Sequence, residues 1–204
     1  MLNTPNPPNH DPPAPVAILL LGMGGTGKST TANELLRRLR THGRAVEIIR
    51  FDELRRKLAP KGVDPFSSDL TIKYSIYDRA AAEFLNVLQL GKSLVIDSGL
   101  SVESIRRRLK ETIASLRIVH LYCPLPVAVY RDTKRSLRGQ RHERGSYLHL
   151  RALISLLNPF QDKKFPQPGV TYPFEPPECA DCHVSTFLKH PSAVAEEIVR
   201  GLGL

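Results

Sequence analysis

Cysteine is scarce, long apolar runs are missing and acidic residues are outnumbered, and each shortage removes a class of protein. The three cysteines, Cys123, Cys179 and Cys182, are too few for a disulfide scaffold. Their odd number suits a reducing cytosol, so a cytoplasmic location is expected. No apolar stretch approaches the roughly 20 residues of a membrane-crossing helix, and no membrane association is expected. The N-terminus lacks the basic, then apolar, then small-residue succession of a secretory leader, so none is expected. Lys and Arg number 29 against 20 Asp and Glu, for a net charge of +9. Such a balance suits anionic partners such as nucleotides, phosphorylated metabolites or nucleic acid; a merely soluble basic surface has the same composition. Residues 1–15, rich in Pro and Asn, are expected to form a disordered tail before a single domain over 16–204.

What is present alternates. Apolar runs of strand length lie at Val16–Leu21, Ala45–Ile49, Ser93–Ile96 and Ile118–Tyr122, with a short fifth near His183–Ser185. Helix-period segments lie between and after them, at Ser29–Thr41, Asp69–Leu90, Val102–Ala114, Pro126–Leu137 and Ser192–Leu202. In the second of these, Ile72, Ile76, Ala80, Phe84 and Leu88 recur at three- and four-residue spacing. Gly43 and Gly91 stand where helix ends need glycine. Repeated strand–helix units imply an α/β fold of three layers, α/β/α, around a mainly parallel five-stranded sheet. Ligands of such sheets bind beyond the carboxyl ends of the strands.

The first strand runs directly into Gly22-Met-Gly24-Gly25-Thr26-Gly27-Lys28-Ser29. This is G-x-x-x-x-G-K-S between a strand and a helix, the setting of a phosphate-binding loop and of a P-loop NTPase fold. Gly22, Gly24, Gly25 and Gly27 are expected to take positive φ and to wrap backbone N–H groups, with those of Thr26 and Thr30, around a polyphosphate. The following helix points its positive end at the same anion. Lys28 can reach the outer phosphates of ATP, and the Ser29 hydroxyl can bind Mg²⁺.

Two carboxylates follow strands. Asp52 lies at the end of the second, where it can take a proton from an attacking hydroxyl or help hold Mg²⁺. Arg55, one helical turn on, can hold an anionic group of the acceptor. Asp97 ends the third strand, in the position of a Walker-B carboxylate toward Mg²⁺. Either aspartate also reads as the N-cap of a helix. Arg131 and Lys134 follow the fourth strand and can flank the base or phosphates of ATP; a solvated helix end is the competing reading.

From Lys134 to Tyr172 the alternation breaks. Arg135, Arg138, Arg141, Arg144 and Arg151 recur with few acids between them, and the stretch reads as a basic lid, because arginines neutralise charge that grows during phosphoryl transfer. An exposed basic helix, or an RNA-binding one, has the same composition. Cys179-Ala-Asp-Cys182-His183 matches the haem-attachment string C-x-x-C-H. Haem attachment requires export, and one C-x-x-C is at most half a zinc site.

The string Leu125-Pro-Val-Ala-Val-Tyr-Arg131-Asp132-Thr-Lys134 resembles the adenylyl-sulfate kinases, whose helix after the fourth strand carries R-D-x-K. Tyr172-Pro-Phe174-Glu175-Pro-Pro-Glu178 resembles their D-P-Y-E-P-P-E segment, Asp52 and Arg55 match their D-x-x-R, and Pro65-Phe66-Ser67 resembles G-F-S. The resemblance implies a kinase using ATP and Mg²⁺, with Asp52 as the catalytic aspartate. It implies that Arg55 contacts the acceptor nucleotide, and that Phe66 and a lid phenylalanine, Phe165, sandwich its base. It also implies a homodimer. The family's arginine and asparagine beyond the G-F-S stretch are Thr71 and Tyr74 here, and relatives act on other nucleotide-like acceptors such as cytidine diphosphoramidate. The expected activity is transfer of the γ-phosphate to a hydroxyl, a ribose hydroxyl above all, of a small anionic nucleotide. A polynucleotide kinase or nucleic-acid-binding ATPase, and a nucleotide sensor without catalysis, are the alternatives.

Overall fold

The computed structural model describes residues 13–67, 69–139, 147–157, 167, 170–171 and 174–204. The elements run β1 (Ala17–Leu21), α1 (Lys28–Thr41), β2 (Val46–Arg50), α2 (Phe51–Leu58), α3 (Leu70–Gln89), β3 (Ser93–Asp97), α4 (Glu103–Thr112), β4 (Leu116–Tyr122), α5 (Leu125–Leu137), α6 (Leu148–Leu157), β5 (Cys182–Ser185) and α7 (Pro191–Leu202). The five strands form one sheet in the order β2-β3-β1-β4-β5, and every pairing is parallel.

The central strands β1 and β3 are buried on both faces because they are mostly apolar, as a helix-covered parallel sheet requires, while the edge strand β2 carries the exposed Glu47 and Arg50. Successive residues alternate between two cores. Ala17, Leu19 and Leu21 of β1 face Phe51, Ile76, Phe84 and Ile105 from α2, α3 and α4. Ile18 and Leu20 face Ala32, Leu35, Val194 and Ile198 from α1 and α7. Local signals end the helices that carry these faces. Asp69 caps α3 by accepting from the N–H groups of Thr71 and Ile72. Gly43 and Gly91, at φ 74° and 75°, turn the chain out of α1 and α3.

The Phe174-Glu175-Pro176-Pro177 stretch ties the end of the chain to α4. A Glu175 carboxylate oxygen accepts the Glu103 N–H at 2.6 Å, and so satisfies a free donor of the α4 N-terminus. Arg106 is fully buried. It donates to the carbonyls of Leu100 (3.0 Å) and Glu175 (2.9 Å) and pairs with Glu103 at 2.6 Å. The motif that pointed to a family is therefore a structural strap. Arg106→Ala takes the buried partner from Glu103, which keeps the exposed Arg107, and from the carbonyls of Leu100, Glu175 and Pro176, and is expected to cost about 3–5 kcal/mol. Urea unfolding measures this; a loss below about 1 kcal/mol, the scale of an exposed pair, would show that the strap holds without it.

The cysteine string has a packing role in this arrangement. Cys182 lies under α7, its Sγ 2.9 Å from where a Cβ on Gly201 would stand, and Asp181 receives the Ile118 N–H and pairs with Lys110. All three cysteines are free thiols, and no group of three or more metal-binding side chains occurs among the described residues. No helix among them is long and apolar enough to cross a membrane.

Candidate active site

The strand ends converge on one cavity of about 630 Å³. Its floor is the turn between β1 and α1. Gly22, Gly25 and Gly27 have φ of 148°, 75° and 88°, which a side chain would strain. Two of them are also hemmed in by backbone: a Cβ on Gly22 would stand 2.3 Å from the Leu121 carbonyl oxygen, and one on Gly25 2.4 Å from that of Ala128. Gly24 departs from the expectation, since its φ is not positive; it is bare for want of space, as shown below. Gly27 is the N-cap of α1, so the free N–H groups and positive end of a 14-residue helix open onto the cavity.

Lys28 folds back into the loop and donates to the carbonyls of Gly22 and Met23, each at 2.9 Å. Burial pushes its ammonium below the usual lysine range, while the nearby carboxylates of Asp97 and Asp52 act to raise it. A desolvated cation attracts a polyphosphate strongly, because water screens little of the attraction. Ser29 and Thr30 are exposed on the same cavity. Thr26 does not reach it: the side chain is buried and its hydroxyl donates to the Met23 carbonyl at 2.8 Å, so it serves the loop's shape and offers only its backbone.

Asp52 and Arg55 both line the cavity. The chain passes from β2 into α2 with no intervening residue, and the N-cap is Arg50. Asp52 therefore lies inside the first turn, and the reading of it as an N-cap is corrected. Asp97 is likewise no cap; α4 begins only at Glu103, after Val102. Arg55 is held among aromatic rings, 5.1 Å from the Phe51 centroid, 5.6 Å from Phe66 and 5.7 Å from Tyr77, and it donates to the Tyr77 hydroxyl at 3.1 Å. Phe66 lines the cavity, with the guanidinium groups of Arg55 and Arg56 each 5.6 Å from its ring centroid. Phe165 lies outside the described residues.

On the opposite wall, Arg131 donates to the Thr186 hydroxyl at 3.0 Å and carbonyl at 2.9 Å, clamping α5 to the end of β5. Lys134 lines the cavity and approaches the Tyr130 hydroxyl at 3.3 Å. The Asp132 between them is buried. It accepts from Arg135 at 2.7 Å and from the His149 backbone at 3.2 Å. Burial opposes its charge, but the hydrogen bonds from His149 and Arg135 outweigh that and hold its pKa at about 2. The value lies below the ordinary carboxylate one of about 3.9. Asp132 thus stabilises the fold fully above about pH 4, and loses that contribution, about 2 kcal/mol, as pH falls toward 2. Urea unfolding of Asp132→Asn is expected to fall less steeply than wild type over that window. Equal slopes would free Asp132 of any part in acid denaturation.

Several lining residues escaped the sequence reading. Thr186 and Lys189 follow β5, and the strand-end rule that singled out Asp52 and Asp97 could have found them. Lys73, four residues after the cap of α3, lines the cavity, whereas Thr71 and Tyr74 do not; Tyr74 instead donates to the Ser104 hydroxyl at 2.7 Å. Gln167 and His149 meet the loop only through tertiary contact, and no local signal marks them. The hard oxygens of Ser29 and Asp97 share one cavity, a donor set that fits Mg²⁺, which keeps several waters and binds through few protein groups beside phosphate.

A phosphate loop that feeds a helix, with carboxylates at the ends of β2 and β3 facing its lysine, defines the P-loop phosphotransferase class. The AAA domain family matches residues 18–160. The chain is 32% identical to an adenylyl-sulfate kinase of Paraburkholderia xenovorans over 172 residues, covering 83% of this chain and 82% of that one. An adenylyl-sulfate kinase of Deinococcus deserti is 30% identical over 169 residues, 83% and 81% of the two chains. The Mycobacterium tuberculosis APS kinase, solved with AMPPNP and APS, shares the fold at a TM-score of 0.71 and 17% identity, over 95% of this chain and 100% of that one. The chain belongs to the adenylyl-sulfate kinase-like family of P-loop kinases, and is an ATP-dependent phosphotransferase acting on a hydroxyl.

Proposed function

We propose that this kinase transfers the γ-phosphate of ATP to a ribose hydroxyl of a small anionic nucleotide. The observation that carries this is the meeting of Lys28, Asp52, Asp97, Arg55 and Phe66 on one cavity. The triphosphate lies in the loop from Gly22 to Thr30, with Lys28 on its outer oxygens. Ser29 and Asp97 would hold Mg²⁺, which would supply positive charge beside the phosphates. Asp52 accepts the proton of the attacking hydroxyl and fixes its direction. Arg131 and Lys134 flank the ATP. Arg55 holds the acceptor's anionic group, and Phe66 stacks on its base, a contact that suits any base. The residues near 134–172 act as a lid whose arginines exclude water and oppose the growing charge.

The acceptor is adenylyl sulfate or a nucleotide of similar charge, such as cytidine diphosphoramidate. Thr71 and Tyr74 provide no guanidinium at the cavity, so the acceptor's anion meets the Arg55 fork and the Lys73 point charge. A panel of sulfated, phosphorylated and phosphoramidate nucleotides incubated with γ-labelled ATP tests the reading. Label is expected in one mononucleotide. Label in an oligonucleotide, or ATP consumed with no labelled acceptor, would overturn it in favour of a polynucleotide kinase or a simple ATPase. The enzyme is expected as a homodimer in the cytoplasm, and sedimentation at micromolar concentration checks the assembly.

A further inference from the structure

Gly24 is the loop glycine whose backbone does not need to be glycine, because its φ is not positive. What forbids a side chain is the lid side of the cavity. A Cβ there would stand 2.9 Å from His149 Cε1, 3.1 Å from Gln167 Nε2 and 3.6 Å from His149 Nε2. Both side chains are buried, His149 at 0% and Gln167 at 2% exposure. Neither contact is adventitious packing of a floppy group. His149 is the second residue of α6, and its backbone N–H and Nδ1 lie 3.2 and 3.3 Å from the same oxygen of Asp132 on α5. Arg135 holds the other oxygen. Gln167 is fixed by its own turn, its N–H donating to the Thr171 hydroxyl at 2.7 Å.

With Nδ1–H donating to Asp132, the other ring nitrogen faces the loop. His149 Nε2 and Gln167 Oε1 are buried there without a hydrogen-bond partner among the described residues. Burying two such atoms is costly unless the neighbourhood changes to supply a partner. The neighbour able to change is the glycine loop, whose peptide groups turn toward a polyphosphate on binding.

We propose that His149 is a positioning residue for the phosphate loop: seated by Asp132 and packed with Gln167 on the bare Gly24, it links occupancy of the loop to the placement of α6. The link rests on the kinase reading of the site. It makes the lid helix respond to the donor nucleotide through one contact, and it explains a glycine that backbone geometry leaves unexplained.

Gly24→Ala, His149→Ala and the double variant test this by amide exchange of residues 148–157. Without nucleotide, Gly24→Ala is expected to raise exchange there by about fivefold or more, yet to add less than about twofold in the His149→Ala background, where the nearer obstacle is gone and Gln167 has room to give way. Equal increments in the two backgrounds, or none in either, would overturn the contact. With AMPPNP and Mg²⁺, exchange of 148–157 is expected to slow about threefold or more in wild type. In His149→Ala that slowing is expected to vanish while the calorimetric Kd stays within about threefold of wild type. A merely structural histidine would leave the slowing in place, and that result would overturn the link. Asp132→Asn, which keeps the volume and weakens the seat of the ring, is read in the same way should His149→Ala not fold. Wild-type protein that fails to bind AMPPNP would overturn the kinase reading and the nucleotide link together; the measurement without nucleotide still decides the contact.

Discussion

Lys28→Ala is expected to lower turnover by a factor on the order of 10² or more while the protein stays folded. The lysine makes both its hydrogen bonds inside the cradle, to Gly22 and Met23, and it feels the charges of Asp97 and Asp52. Its removal takes away the cation proposed to meet the moving phosphoryl group and leaves those carboxylates to repel a triphosphate. The fold is spared because no packing in either core depends on its side chain. Single-turnover rates with γ-labelled ATP, together with a thermal melt, measure both parts. Wild-type turnover in the variant would remove the loop from the chemistry.

Asp52→Asn is expected to have the second-largest effect, a rate loss of about 10²–10⁴ with ATP affinity changed by less than about threefold. Asparagine keeps the shape of the side chain and its place in the first turn of α2, but cannot accept the proton. The expected signature is a fall in kcat with the calorimetric Kd for ATP held. A lost ATP affinity with an unchanged rate would make Asp52 a ligand of the nucleotide's metal and not the base.

The sheet was legible in the sequence because a doubly covered parallel strand is a short, mostly apolar run, and runs such as Val16–Leu21 and Ile118–Tyr122 recur between helix-period segments. The long helices were legible through spacing, as in Ile76, Ala80 and Phe84, which all lie in the core. Two helices were not. α2 has eight residues, begins without a capping side chain, and follows its strand with no loop, so nothing punctuates it. α6 buries Leu148, Ala152 and Ser155 at helical spacing, but the basic and proline-rich context around it reads as a lid without internal structure. The site was legible where the rule of strand ends applies. It was not legible at Lys73 and Gln167, which reach the cavity from a helix face and a turn, nor at His149, which packs behind the loop at Gly24. Gly24 marks the limit of motif reading: the pattern asks for glycine freedom along the loop, whereas residue 24 is small because of what leans on it.

The junction between β2 and α2 has a mechanical consequence. With no residue between the last strand position and the first helical one, there is no hinge by which Asp52 and Arg55 could swing independently of the sheet. Phe51, fully buried and stacked on Tyr77 with centroids 4.2 Å apart, bolts the joint at its first residue. Adjustment to an incoming molecule must therefore come from the facing wall, and a carboxylate mounted on so stiff a bracket, if it serves as the proposed proton acceptor, keeps its aim whether or not anything is bound.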